Sequence, residues 1–147
     1  MLITELIVTL QYKARNEWGD TEPLFIKVME HMNRVLGEDH TETIVVVGHL
    51  ALSYWIRGRY QEAEPLFIKG LEGCKRVYGE ESPQTLIFMS NLASTYRDQE
   101  QWEEAEVLYV QVLDKRKRIL EEMHFETVAT MADSAIASDT LGRRKMH

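Results

Sequence analysis

Apolar residues recur at three- and four-residue steps over much of the chain, and glycines bound the segments where they do so. This spacing is typical of amphipathic helices that bury one face. Gly58 and Gly79 stand where glycine commonly ends a helix. The pattern predicts one helix from about Thr43 to Arg57 and another from about Tyr60 to Tyr78. The apolar positions of the second helix are Ala63, Leu66, Phe67, Leu71, Cys74 and Val77.

The same pattern extends in both directions along the chain. Ser82 and Pro83 form a start signal, with serine as the cap and proline at the first helical position. His40 and His124 occupy the position of the loop and are expected to tie the turn. The predicted further helices run from about Leu2 to Arg15, Asp20 to Leu36, Pro83 to Gln99, Trp102 to Glu121, and Glu126 to Leu141.

The sequence repeats every 42 residues, and each repeat contains two of the predicted helices. Thr43, Thr85 and Thr127 are evenly spaced, and Glu-Pro-Leu-Phe-Ile-Lys occurs at 22–27 and again at 64–69. Residues 1–42 and 43–84 share 14 identities, and 43–84 and 85–126 share 12. A fixed period of this size predicts a solenoid in which each hairpin leans on its neighbours.

The residues that match also identify the kind of repeat. One block reads Val47-x-x-Leu50-Ala51-x-x-Tyr54, then Ala63-x-x-x-Phe67; the next reads Met89-x-x-Leu92-Ala93-x-x-Tyr96, then Ala105-x-x-x-Tyr109. This spacing resembles the tetratricopeptide repeat, whose ordinary unit is about 34 residues. The longer unit and the linkers Gly37-x-x-His40 and Gly79-x-x-Ser82-Pro83 resemble kinesin-light-chain-like repeats, as also found in fungal arrays.

The resemblance implies an all-α fold, a right-handed superhelical solenoid of antiparallel helix hairpins. We expect a single tetratricopeptide-like domain over 1–147, with about three hairpins plus a terminal helix. Its repeats are about 1–42, 43–84, 85–126 and a partial 127–147. In the last block Ser134 and Ser138 replace the leucine and tyrosine of the motif. Either a polar terminal cap or a piece cut from a longer array explains these serines.

In a tetratricopeptide array the first helix of each hairpin lines the concave face. Carried over by position, the resemblance implies a peptide-binding groove made by His49, Leu52, Trp55, Ser90, Asn91, Ser94, Arg97 and Asp133. The amide of Asn91 can pair with both the N–H and the C=O of an extended peptide. The alternative is that Asn91 bonds the neighbouring hairpin. Trp55 suggests an apolar pocket, or else it packs against the next first helix.

Composition narrows the function classes. The net charge of −7 and pI near 5.3 argue against nucleic acid, which needs a basic face. A single cysteine indicates a reducing compartment, and we expect a cytoplasmic location. No apolar run approaches the roughly 20 residues of a membrane span. No paired-cysteine or His-x-x-x-His motif, nucleophile–base pair or phosphate loop occurs, so we expect no metal, no cofactor and no enzyme.

Two hypotheses about function stay open at this point. The first is a non-catalytic scaffold that binds a protein or peptide partner along the groove. The alternative is a self-associating structural or sensor fragment of a larger signalling protein. It would stack as a homo-oligomer through the apolar first helix, with Leu2, Leu6 and Leu10.

Overall fold

The computed structural model describes residues 6, 9, 10, 12, 15 and 17–146. Those residues contain five helices and no strand. The helices are α1 (Trp18–Val35), α2 (Thr41–Ile56), α3 (Tyr60–Tyr78), α4 (Pro83–Asp98) and α5 (Trp102–Met146). Residues 6, 9, 10, 12 and 15 are also helical, and the rest of the predicted first helix lies outside the described residues. None of the described helices could cross a membrane.

The turns between the helices follow the predicted signals. Gly58 ends the turn after α2 and Gly79 ends α3, with φ of 72° and 93°, a region that glycine enters without a Cβ clash. His40 caps α2, because its Nδ1 accepts a hydrogen bond from the Glu42 N–H at 3.2 Å. Ser82 caps α4 in the same way. The predicted role of His40 is therefore confirmed.

One predicted boundary is wrong. The sequence pattern placed a helix end near Glu121 and a new helix from Glu126, whereas α5 is continuous over both. Glu121 stands one period after Gly79, and His124 and Phe125 stand where Ser82 and Pro83 stand. The glycine stop and the Ser-Pro start are both missing, so nothing interrupts the backbone hydrogen bonds. His124 is a helical residue and does not form a turn.

The core is formed by the repeat motif residues. α2 packs against α1 and α3, and α3 packs against α4, in the order of the chain. The small motif residues Ala51, Ala63 and Ala93 are completely buried, which lets the helix axes approach closely. Fully buried aromatic rings such as Phe25 and Phe67 stabilise the fold by about 1.5–3 kcal/mol each. The antiparallel hairpins in series confirm the tetratricopeptide-like solenoid.

One close contact explains why α2 and α3 carry glycines in their interiors. The ring of Phe88, on α4, lies over Gly48 and Gly70. A Cβ added to Gly48 would lie 2.8 Å from the Phe88 ring, and one added to Gly70 would overlap the ring still more. Both positions are too close for a real side chain. The glycines therefore form a socket that only a residue without a side chain can supply.

The chain divides into two compact units, Met1–Val112 and Leu113–His147, and α5 runs through both. The first unit contains the packed hairpins. The second unit is the rest of α5 with the chain end. Most of its described large apolar side chains are exposed: Leu113, Leu120, Met123, Phe125, Val128, Met131 and Ile136.

Candidate functional site

Seven of the eight predicted groove residues lie on two helices of the first unit. We call them the A-helix surface: His49, Leu52 and Trp55 on α2, and Ser90, Asn91, Ser94 and Arg97 on α4. Residues three or four apart share one face of a helix, so each set forms a stripe. Arg97 is exposed and the other six are partly buried. Partial burial leaves each side chain held by the fold and still reachable.

Trp55 connects the two helices of this surface. Its Nε1 donates a hydrogen bond to Oδ2 of Asp98 at 2.9 Å. The indole therefore packs toward the next first helix, as the alternative for Trp55 held, and its N–H is engaged inside the protein. Asp98 is not among the residues predicted from the sequence. The repeat gives no hint of it, because Ile56 occupies the equivalent position in α2.

A second set of bonds fixes the α4 side of the surface. The hydroxyl groups of Ser94 and Tyr109 lie 2.9 Å apart. Arg97 donates to the Tyr109 hydroxyl through Nη1 at 3.4 Å and to Oδ1 of Asp98 through Nε at 3.3 Å. Asp98 thus accepts from both Trp55 and Arg97. The network connects α2, α4 and the start of α5, and it holds three predicted groove residues in defined positions.

Asn91 differs from these neighbours. Its backbone carbonyl accepts a hydrogen bond from Thr95 Oγ1 at 2.8 Å, an ordinary bond within the helix. Among the described residues, no hydrogen bond reaches its side-chain amide. No contact among the described residues therefore supports the alternative, in which this amide bonds the neighbouring hairpin. The amide keeps both a donor and an acceptor for another molecule.

His49 occupies the equivalent position on α2. The side chain is partly buried, and burial lowers the pKa of its imidazole below the usual 6.5. Desolvation disfavours the charged form, so His49 is neutral at neutral pH. A neutral imidazole offers one donor and one acceptor, the same pair of functions that the amide of Asn91 offers.

Asp133, the eighth predicted groove residue, belongs to a different unit of the chain from the other seven. It is an exposed residue of the second unit and belongs to the continuous helix α5 rather than to a separate first helix. Its place in the groove stays a prediction.

The chemistry of the described residues gives no support to a catalytic or metal site. They contain no cluster of His, Cys, Asp or Glu suited to a metal ion. Cys74 is buried, and burial raises the pKa of its thiol to about 11. Because the thiolate is the reactive form, this cysteine is inert at neutral pH.

A charged cluster away from the A-helix surface ties three helices together. The Tyr54 hydroxyl donates to Oε1 of Glu22 at 2.8 Å, and Arg59 donates to both oxygens of Glu22 at 2.9 and 3.0 Å. Arg59 also bonds Glu62 on α3. The hydrogen bonds from Arg59, helped by that from Tyr54, lower the pKa of the Glu22 carboxyl below its usual value. This cluster fastens α1 to the turn between α2 and α3, and we assign it to stability.

The geometry defines a class: an all-α chain of antiparallel helix hairpins, stacked in series, with a side-chain surface on successive first helices. The model of the tetratricopeptide repeat family matches residues 42–118, just over half of the chain. The chain belongs to the tetratricopeptide repeat family. Repeats of this family generally mediate protein–protein interaction.

Solved structures share the fold at low sequence identity. The nearly identical TPR-like repeats of a kinesin-light-chain-type protein from Podosopora anserina align with TM-score 0.70 and 21% identity, over 80% of this chain and 56% of that one. A substituted variant of those repeats gives TM-score 0.71, with the same identity and coverage. BtubC (BKLC) from P. vanneervenii aligns with TM-score 0.65 and 18% identity, over 79% of this chain and 48% of that one.

The chain therefore spans about half the length of the structures that it resembles. No curated protein matches its sequence. At these identities the likeness establishes the kinesin-light-chain-like repeat fold.

Proposed function

We propose that this chain is a non-catalytic scaffold that binds an extended peptide segment of a partner protein across the A-helix surface. The observation that carries the proposal is the side-chain amide of Asn91. It has no hydrogen-bond partner among the described groups, and it lies on the same helix as Ser94 and Arg97, which the network with Tyr109 and Asp98 holds in place. A preorganised surface with an unused amide is suited to pairing with a peptide backbone.

The surface also suggests what such a peptide contains. Asn91 would bond one peptide unit of an extended strand through its donor and its acceptor. Leu52 and the ring of Trp55 are partly buried and offer apolar contact for one side chain of the peptide. We therefore propose a segment with an extended backbone and at least one large apolar residue. A cytoplasmic location belongs to the same proposal, because the one cysteine is a free thiol.

The test is a selection of peptides followed by a measurement of affinity. A displayed library of random peptides is selected on the wild-type chain, and a selected peptide is titrated by fluorescence anisotropy. We expect Asn91→Ala to weaken its binding roughly tenfold, the loss of one or two hydrogen bonds at about 1 kcal/mol each. Leu52→Ala should also weaken it.

The matched control lies on the second helix of the hairpin. Glu72, on α3, is exposed, and Glu72→Ala should leave the affinity unchanged. Circular dichroism of each variant establishes that it is folded. If the selected peptides bind the Asn91 and Leu52 variants as tightly as the parent, the A-helix surface is not the binding site.

The alternative hypothesis, self-association by stacking through the first helix, has less support from the burial of its leucines. Leu10 is buried at 4% exposure within this chain, so it is not available to a neighbouring molecule. Leu6 is exposed, and Leu2 lies outside the described residues. Self-association through these leucines stays a prediction.

A further inference from the structure

The C-terminal half of α5 exposes residues of a kind that the repeat elsewhere buries. Leu86, Met89 and Ala93 are at most 4% exposed in α4. One period later stand Val128, Met131 and Ala135, of which Val128 is 50% and Met131 67% exposed. These α5 residues carry the core face of a first helix, and no other helix among the described residues covers it.

The complementary face is exposed on the same helix. In the packed hairpins the core position of the second helix is Leu71, which is 7% exposed. Its equivalent in α5 is Leu113, which is 64% exposed. Leu113 and Met131 lie 18 residues apart on one continuous helix, about 27 Å at 1.5 Å per residue. Leu113 and Met131 therefore cannot contact each other within one copy.

We propose that α5 pairs in antiparallel fashion with α5 of a second copy of this chain. Segment 127–135 of each copy would cover the exposed apolar residues Val110 and Leu113 of the other, with Leu120 near the twofold axis. The occupant is argued from the chain's own packing, because the equivalent segment 85–93 covers α3 in just this manner. The interface is isologous, so the same patch is used twice.

The packing of α3 on α4 also fixes the register of the pair. The rings of Phe67 and Phe88 meet edge to face with centroids 6.4 Å apart. Their equivalents one period later are residues 109 and 130. In an antiparallel pair the point midway between two partners lies on the twofold axis, and here that point falls between Ile119 and Leu120. Leu120 of one chain therefore lies close to Leu120 of the other.

Charge supports this orientation independently. The basic run Lys115–Arg118 is followed closely by Glu121, Glu122 and Glu126. With Leu120 near the twofold axis, Lys117 and Arg118 of each copy lie opposite Glu122 and Glu121 of the other. A parallel pair would place like charges together, which disfavours that arrangement.

The first test is the oligomeric state of the full chain, measured by sedimentation velocity over a hundredfold range of concentration in the micromolar regime. We expect a dimer that dissociates on dilution. Leu120→Asp and Met131→Asp should each weaken the dimer at least tenfold, because each places a charge in the apolar contact. Ala129→Asp is the matched control. It lies on the opposite face of the exposed helix and should leave the dissociation constant unchanged.

The second test addresses the register. Leu120→Cys should form a disulfide-linked dimer under mild oxidation, whereas Leu113→Cys should not, because residue 113 faces a different residue of the second copy. The native Cys74 is buried, and the parent chain controls for its contribution. Equal crosslinking at both positions, or at neither, would overturn the antiparallel register.

The third test restores the missing turn. The triple change Glu121→Gly, His124→Ser and Phe125→Pro recreates the Gly-x-x-Ser-Pro linker found at 79–83. Segment 127–135 should then fold back on its own chain, and the protein should become monomeric. A parent chain that is monomeric at the highest concentration, or a triple variant that dimerises as tightly as the parent, would overturn the proposal. Peptide binding at Asn91 is tested separately and does not depend on this outcome.

Discussion

Two junctions of the same repeat behave differently in this molecule. The helix α3 ends at Gly79, and α4 begins at Pro83 after the cap residue Ser82. The turn between them lets the two helices fold against each other. One period later the helix passes through Glu121 without a break. The flanking residues carry a similar apolar pattern in both cases. The apolar pattern therefore sets which face of a helix is apolar, while the few turn residues decide whether that face is buried.

The largest expected difference between the two junctions concerns one residue type at one repeat position. Met89 is fully buried and Met131 is 67% exposed. We expect Met89→Ala to lower the free energy of unfolding by about 2–5 kcal/mol, through lost transfer energy and a new cavity. Met131→Ala should change it by less than about 0.5 kcal/mol.

The measurement is urea denaturation followed by circular dichroism, at a concentration low enough to keep the chain monomeric. Similar losses for the two variants would show that the second junction is as well packed as the first, and the difference between the junctions would disappear.

The packed junction also depends on the close contact between Gly70 and the Phe88 ring. Gly70→Ala improves helix propensity by roughly 1 kcal/mol, yet the added Cβ would overlap the Phe88 ring. Overpacking of this kind usually destabilises by about 1–3 kcal/mol. We expect a net loss of stability and a lower Tm. Gly19→Ala is the control, because nothing lies within 4 Å of a Cβ there, and it should be neutral or stabilising.

A compensating pair tests whether the clash is the cause. The residues equivalent to Gly70 and Phe88 in α1 and α2 are Val28 and Val46. The double variant Gly70→Val and Phe88→Val recreates that pairing and should recover much of the stability lost in Gly70→Ala. Calorimetry compares the three proteins. A double variant less stable than Gly70→Ala would mean that the Phe88 contact is not what limits the size of residue 70.

Most of the helix boundaries could be predicted because their signals are local. The predicted bounds of the helices α1 to α4 agree with the structure within two residues, since apolar spacing and glycine stops act within a few residues of the end. The α5 boundary was predicted from the expectation that the repeat continues. Glu121 in place of the glycine is the local signal that no helix end occurs there.

The candidate site was predictable in position and not in its contacts. The stripe through His49 and Asn91 follows from the repeat register. The bond from Trp55 to Asp98 does not, because it joins positions that have no equivalent pair in the neighbouring repeats. Such bonds depend on which side chains meet between two helices. Because they do not recur with the repeat, the period of the sequence does not predict them.

The smallest expected effect concerns the glutamate that recurs at the same position of the first three blocks. Glu22 accepts hydrogen bonds from Tyr54 and Arg59, and its pKa is lowered from the usual 4.5, mainly by Arg59. Its ionised form is therefore favoured by the folded state. The stabilisation that this adds is fully present above the ordinary pKa and is lost as pH falls through the lower pKa of the folded protein.

Glu22→Gln should thus lower the stability by about 1 kcal/mol at neutral pH, the size of a typical net hydrogen bond to a partly exposed group. The difference in Tm from the parent should shrink between about pH 5 and pH 3, where the carboxylate of the parent becomes protonated. Glu106→Gln is the matched control at the second junction: Glu106 is exposed, and Ser138 stands where Tyr54 and Tyr96 stand in the other blocks. A Tm difference for Glu22→Gln that stays constant across the acid range, or that equals the one for Glu106→Gln, would mean that the charged cluster does not distinguish the packed junctions from the extended one.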